Sequence, residues 1–264
     1  MDIDKIEKQF ERIGARVKFR QFLEPESRAV RLDVRTDDKG EFFDLRVGAK
    51  SDLRVIDARD DIRHLLLLRP VIGAERRARF LCGHDERHWF VASVPDRHGV
   101  SNVYTAMEAL KPEAVRLEQV RRGVTRWDRL SRRTAAYIRQ GEWFFVPRSD
   151  AVVDSTQIRR NEPIRRGGGK AHYIDEVSRT GGETVYVNRA NPNGLTQSQF
   201  ADLIRRNPGT RRDNWQRMRR DARVLARGRV RHPDHETIVL PFWHEVFMNT
   251  ENEAPGARFV AFLD

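Results

Sequence analysis

The sequence predicts an α+β fold, rich in β structure, made of antiparallel sheets or a small barrel with helical insertions. Short alternating runs with turn chemistry between them recur along the chain, as at 29–35 and 41–47 on either side of Asp37-Asp38-Lys39-Gly40. Helical periodicity is confined to a few short stretches. Of the 264 residues, 39% are hydrophobic and 34% charged, enough apolar chain for a packed core and too polar for a membrane protein. No apolar run approaches the roughly 18 residues of a membrane span. The first residues, Met1-Asp2-Ile3-Asp4-Lys5, form no signal-peptide apolar region, and Cys82 stands alone, so no internal disulfide can form. A cytoplasmic location is the expectation, with no membrane partner.

Residues 1–14 carry Ile3, Ile6, Phe10 and Ile13 at helical spacing. The hairpin 29–47 follows, then a strand at 53–56. His64-Leu65-Leu66-Leu67-Leu68 reads as a strand buried on both faces. The runs 77–82 and 89–94 flank a tip, 83–88, dense in titratable groups. Cys82, His84 and His88 there suggest metal ligation or a cysteine nucleophile, but one cysteine and no second ligand pair make a solvated turn beside a buried thiol the simpler reading.

Three helical pieces are expected next: one from Ser101 that Pro112 stops, then 112–121 and 125–139. They bring Arg116, Arg122, Arg126 and Arg133, with Trp127 and Tyr137 interleaved, a composition that suits single-stranded nucleic acid. A Trp127 turned into the core is the competing reading. A boundary near 140 divides an α+β domain, 1–139, from a β-rich domain, 140–264, with an inserted αα-hairpin at 195–222. The stretch 148–194 shows little periodicity before 183–187. Its Gly167-Gly168-Gly169-Lys170 fails as a phosphate loop, because Ile164 stands where a glycine belongs and Ala171 where Ser or Thr would hold magnesium. A basic loop with Arg165 and Arg166 is expected instead.

The formal net charge is +11, and residues 1–61 are close to neutral, so the excess lies later in the chain. Between 205 and 231 there are eleven arginines against Asp213 and Asp221. Thr196 and Gln199 make a capping box, with Leu195 and Phe200 as its staple, and Asn207-Pro208-Gly209 ends the helix. Thr210 with Asp213 repeats the cap logic for a second helix at 211–222, with Trp215, Met218 and Ala222 on one face and Arg212, Arg219 and Arg223 on another. Leu195-Thr196-Gln197-Ser198-Gln199-Phe200 resembles the first of the two DNA-contacting helices of repressor-type helix-turn-helix proteins. That resemblance implies a second helix, here 211–222, for the major groove. A basic helix that meets phosphate, or one that merely faces solvent, is the alternative. Arg205, Arg212, Arg217, Arg219, Arg220 and Arg223 are the expected nucleic-acid contacts.

The remaining β segments are 224–231, 237–240, 243–248 and 258–262. Arg139-Gln140-Gly141-Glu142, Gly169-Lys170-Ala171-His172 and His232-Pro233-Asp234-His235 with Ile238-Val239-Leu240-Pro241 are similar to words in a group of short, uncharacterised bacterial and phage proteins. Those proteins carry Arg-Gln-Gly-Asp, Gly-His-Ala-His and His-x-x-His followed by Ile-x-Leu-Pro. Lys170 departs from the pattern, as does the intervening 195–222. The resemblance implies a compact β-rich domain with clustered histidines.

On one strand His232 and His235 would face opposite ways, so they converge only if Pro233-Asp234 turns the chain. With His172 they then form an acid/base or metal constellation. The catalytic candidates are His172, His232 and His235, and the metal candidates are His232, Asp234, His235 and His244, a divalent metal being the cofactor such groups would hold. Glu142 and Glu236 are carboxylates that could work beside them without metal. Packing and turn roles for the histidines are the alternative. The composition thus points to nucleic-acid binding by arginine-rich helices within a larger intracellular system. A histidine-centred hydrolase or nuclease is the second expectation, and an adaptor whose arginines meet acidic proteins the third.

Overall fold

The structure is a computed structural model that describes residues 2–23, 29–71, 77–166 and 169–254. The segment expected at 258–262, and Gly167 and Gly168, lie outside these residues. The described chain forms two compact units. One holds 2–117, 125–131 and 249–254; the other holds 118–124 and 132–248. The sequence reading cuts the chain once, at 139/140.

In the first unit, helix α1 (Ile3–Arg12) starts where the Asp2 carboxylate accepts from the Lys5 N–H, and it buries Ile6 and Phe10. Strands β1 (Val17–Gln21), β2 (Val30–Asp37) and β3 (Gly40–Val47) form a sheet in the order β1-β3-β2. The β2–β3 hairpin turns where the sequence predicts, but β1 runs parallel to β3, so this sheet is mixed. Strands β4 (Arg54–Arg59), β5 (His64–Arg69), β6 (Ala78–Asp85) and β7 (His88–Val94) make an antiparallel meander. Leu65, Leu66 and Leu67 of β5 are all fully buried, Leu65 and Leu67 in one apolar cluster and Leu66 in another, as a strand covered on both faces requires. Helices α2 (Val103–Ala109) and α3 (Glu113–Arg121) follow.

The second unit is built on a six-stranded antiparallel sheet. Its strands are β8 (Ile138–Gln140), β9 (Trp143–Pro147), β10 (Ile158–Ile164), β11 (His172–Thr180), β15 (Arg223–His232) and β16 (His235–Met248), in the order β10-β11-β15-β16-β9-β8. A smaller sheet, β13-β12-β14, joins β12 (Glu183–Val187), β13 (Leu195–Thr196) and β14 (Gln216–Arg220), with helix α4 (Gln197–Arg206) leading out of β13. No sheet closes into a barrel. The large sheet is nevertheless curled: Gln140, on its β8 edge, donates through Nε2 to the carbonyls of Glu236 at 2.6 Å and Val230 at 3.3 Å. Ile138, Trp143 and Phe145 from one end share a core with Ile164, Ile174 and Val177 from the other.

Several expectations need correction. The capping box of α4 forms as read, Thr196 accepting from the Gln199 N–H and Gln199 accepting from the Thr196 N–H. The αα-hairpin does not form, because 208–212 is a single 3-10 turn and β14 is a strand beside β12. Trp215, Met218 and Ala222 do have helical spacing, but long-range pairing overrode it: Met218 lies opposite the buried Val185, and Trp215 packs edge-on against Phe200. The helix-turn-helix therefore lacks its second helix, and Arg212, Arg219 and Arg223 share no helical face. Residues 125–139 are turns leading into β8, and the stretch 148–194, in which the sequence shows little periodicity before 183–187, contains β10 and β11. The segments 237–240 and 243–248 are one strand, β16, whose register against β15 shifts between Gly228↔Leu240 and Ala226↔His244, around Pro241. A proline without an N–H is tolerated at such an irregularity.

Candidate metal centre and basic face

His232 and His235 are directly paired across the β15–β16 hairpin, whose connection is Pro233-Asp234. Residues opposite each other on antiparallel strands point to the same face. A register shift between Val230↔Ile238 and His232↔His235 makes the two histidines opposite neighbours. The third histidine comes from β11, where Tyr173 pairs with Arg231, so His172 falls in line with His232. Three strands thus each deliver one imidazole to one place. Ring centroids are 4.1 Å apart for His172 and His232, 4.7 Å for His232 and His235, and 5.7 Å for His172 and His235. One nitrogen from each ring lies within 4.8 Å of the other two.

The environments differ. His172 is 1% exposed, and neither of its ring nitrogens has a hydrogen-bond partner. Burial, reinforced by the neighbouring His232 and His235, pushes its pKa down to about 3, with Asp234 opposing. His232 is half-buried and shifted the same way, by burial first and by His235 next. At neutral pH both rings are therefore uncharged, the form that donates a lone pair to a metal or accepts a proton. The Asp234 N–H donates to His232 Nδ1 at 3.1 Å, which places the proton of that ring on Nε2.

Two residues that carry this arrangement were not singled out by the sequence reading. Gln140 is buried, and it binds the carbonyl of Glu236 inside the register shift that aligns His232 with His235. Gly141 adopts φ +57°, and a Cβ there would lie 2.8 Å from His235 Nε2 and 3.5 Å from His172 Nε2. Only glycine combines that backbone conformation with that clearance. From sequence both stand only inside the word Arg139-Gln140-Gly141-Glu142, without a role for either. The stretches 139–142, 169–172 and 232–235 all meet at this place.

Other predicted members stay outside the converging group. Asp234 turns its carboxylate to Lys170, whose Nζ donates to both oxygens at 2.7 and 2.8 Å. His244 is buried opposite Ala226, with Nδ1 2.7 Å from the Phe242 carbonyl, too far along β16 to join. The structure thus groups His172, which the sequence reading sets beside His232 and His235, with those two residues, and leaves Asp234 and His244 outside the group. Cys82 is fully buried, and burial pushes its thiol pKa up, which favours the buried apolar thiol over the nucleophile reading.

The arginines also divide. Arg220 pairs with Glu183, Arg223 with Glu245, Arg227 with Glu176, and Arg229 and Arg231 with Asp175, while Arg205 meets Asp202 within its own helix. Most of these acids come from other strands, so a count of acids within 205–231 overstates the excess charge. Among the described residues Arg206, Arg211, Arg212 and Arg217 have no acidic partner, and Arg219 binds the Gly181 carbonyl. Helix α4, which ends at Arg206, also carries Phe200 of an aromatic stack, in which Tyr186 lies parallel to Phe200 at 4.2 Å and Phe200 meets Trp215 edge-on at 5.0 Å. Tyr186 is the cross-strand neighbour of Arg217. Of the earlier candidates, Arg116 and Arg126 belong to the first unit and Arg122 and Arg133 to the second, where Glu118 holds Arg122. Trp127 is 89% exposed rather than turned into the core, whereas Tyr137 is buried.

No family model, curated protein or solved structure matches the chain.

Proposed function

We propose that this protein binds nucleic acid through the face formed by α4, the 208–212 turn and β14. The observation that carries the reading is the contrast between neighbouring arginines. Those on β15 are held by carboxylates, whereas Arg206, Arg211, Arg212, Arg217 and Arg219 keep their charge without an acid among the described residues. An unneutralised guanidinium on a short turn or edge strand is free to form paired hydrogen bonds to phosphate. The adjoining half-buried rings of Tyr186 and Phe200 offer a base somewhere to stack, which suits single strands better than duplex. Asp213 is the acid nearest in sequence and offsets part of the charge.

The test is fluorescence anisotropy of labelled single-stranded RNA and DNA, titrated across a salt series. Log affinity should fall linearly with log salt, with a slope of about −0.7 for each phosphate contacted on a single strand. Replacing Arg211, Arg212 and Arg217 by Gln should flatten the slope by about 2, whereas His98→Ala should not change it. Absence of binding at low salt would overturn the reading, and an unchanged slope would remove this face from it. Co-purification with an acidic protein in place of nucleic acid would favour an adaptor role.

A further inference from the structure

We propose that His172, His232 and His235 form a three-imidazole site for a borderline divalent transition metal, zinc or cobalt foremost. The inference is independent of the basic face. Its first support is the convergence of three rings from three strands, two adjacent in the chain and one about sixty residues away. Three atoms mutually within 4.8 Å lie within about 2.8 Å of a common centre, and zinc–imidazole bonds are about 2.0 to 2.1 Å long. Inward adjustments of less than about 1 Å, available to ring torsions, close that gap.

The second support is His172 itself. A buried polar group without a partner is costly, and native interiors rarely keep one. Both nitrogens of this imidazole are unpartnered at 1% exposure, and the ring faces two others of its kind. A metal ion satisfies it. The third support is Gly141, whose missing side chain leaves clear the volume nearest to Nε2 of both His235 and His172.

The donor set selects the ion. Three neutral imidazoles suit zinc, cobalt, nickel and copper, and suit magnesium or calcium poorly, since those ions want oxygen. Three protein ligands leave one position of a tetrahedron for water or substrate, the pattern of catalytic rather than structural zinc. Loading rearranges His232, whose Nδ1 accepts from the Asp234 N–H. That bond is released in either mode of binding: Nδ1 itself takes the ion, or the ring proton moves from Nε2 to Nδ1 and Nε2 takes it.

The experiment uses the full chain, stripped with chelator and dialysed. Zinc chloride is titrated by calorimetry, and cobalt(II) chloride is followed by visible absorption, where tetrahedral coordination gives intense d–d bands. One equivalent should bind. His232→Ala and His235→Ala should each weaken binding by about tenfold or more, and the double variant should abolish the cobalt bands. His98→Ala should bind as the parent does. His172→Asn should also lose metal, and circular dichroism reports whether it folds; the half-buried hairpin histidines keep the test decisive if it does not. Failure of zinc and cobalt to bind stoichiometrically would overturn the proposal, as would binding that survives the double variant. Neither outcome bears on nucleic-acid affinity measured in chelator.

Discussion

Gly141 shows how much can rest on an absent side chain. At φ +57° a Cβ is strained whatever the space around it, and here that Cβ would also press on His235 Nε2 at 2.8 Å. Gly141→Ala should therefore cost about 1 to 3 kcal/mol in chemical denaturation, more than a turn alanine in open space. A cost within error would mean that the ring moves aside freely. Glu118 is the residue with the clearest pH signature. The guanidinium of Arg121, then that of Arg122, holds its carboxyl down at about 2, against burial. Because the folded-state pKa lies below the unfolded value, the carboxylate stabilises the fold above about pH 4.5, and this contribution fades as pH falls from there to about 2. Glu118→Gln should lose about 1 to 3 kcal/mol at neutral pH and show a flatter stability profile across that window. A parallel profile for parent and variant would show that the pairs persist equally in the unfolded chain.

At the scale of elements, α4 is the piece whose local signals and structure agree most fully. Both arms of its capping box form: the Gln199 N–H donates to Thr196 Oγ1 at 3.3 Å and the Thr196 N–H to Gln199 Oε1 at 3.0 Å. Thr196→Ala should destabilise the second unit by about 0.5 to 2 kcal/mol, and Thr196→Ser should restore most of it. Unfolding curves that superimpose would mean that this short helix is held by the Tyr186–Phe200–Trp215 packing alone. The following element shows the opposite balance. Residues 216–220 read as helix by the spacing of their apolar members, yet they pair with β12, because Met218 gains a buried partner in Val185 that an isolated helix could not supply.

For the whole molecule, the high arginine content divides into paired and unpaired sets. Much of it is structural: Asp44, buried in β3, meets Arg20, Arg35 and Arg46, and β15 carries its own row of paired arginines. In the second unit Arg206, Arg211, Arg212, Arg217 and Arg219 have no acidic partner among the described residues, and neither do Arg159, Arg160, Arg165 and Arg189. If the proposed face binds nucleic acid, the salt dependence should follow Arg206, Arg211, Arg212, Arg217 and Arg219 and not the net charge of +11. Among the described residues no helix is long and apolar enough to cross a membrane.

The sequence by itself determined the features whose causes lie within a few residues: the helix α1, the cap of α4, the hairpin turn at Asp38-Lys39, and the doubly covered run 65–67. It also made a turn at Pro233-Asp234 the condition for His232 and His235 to converge, and the structure has that turn. Only the tertiary structure decided the rest. Which acids neutralise which arginines depends on distant partners: Arg227 meets Glu176, 51 residues away, and Arg148 meets Glu245, 97 residues away. His172 joins His232 because β11 and β15 align in one register, and Asp234 leaves the site because Lys170 reaches it first. Glu236 needs Gln140 because a register shift leaves its carbonyl pointing at the far edge of a curled sheet. Strand pairing is non-local, and a shift of one residue turns every side chain to the other face, so these alignments are set by how the whole sheet buries its core.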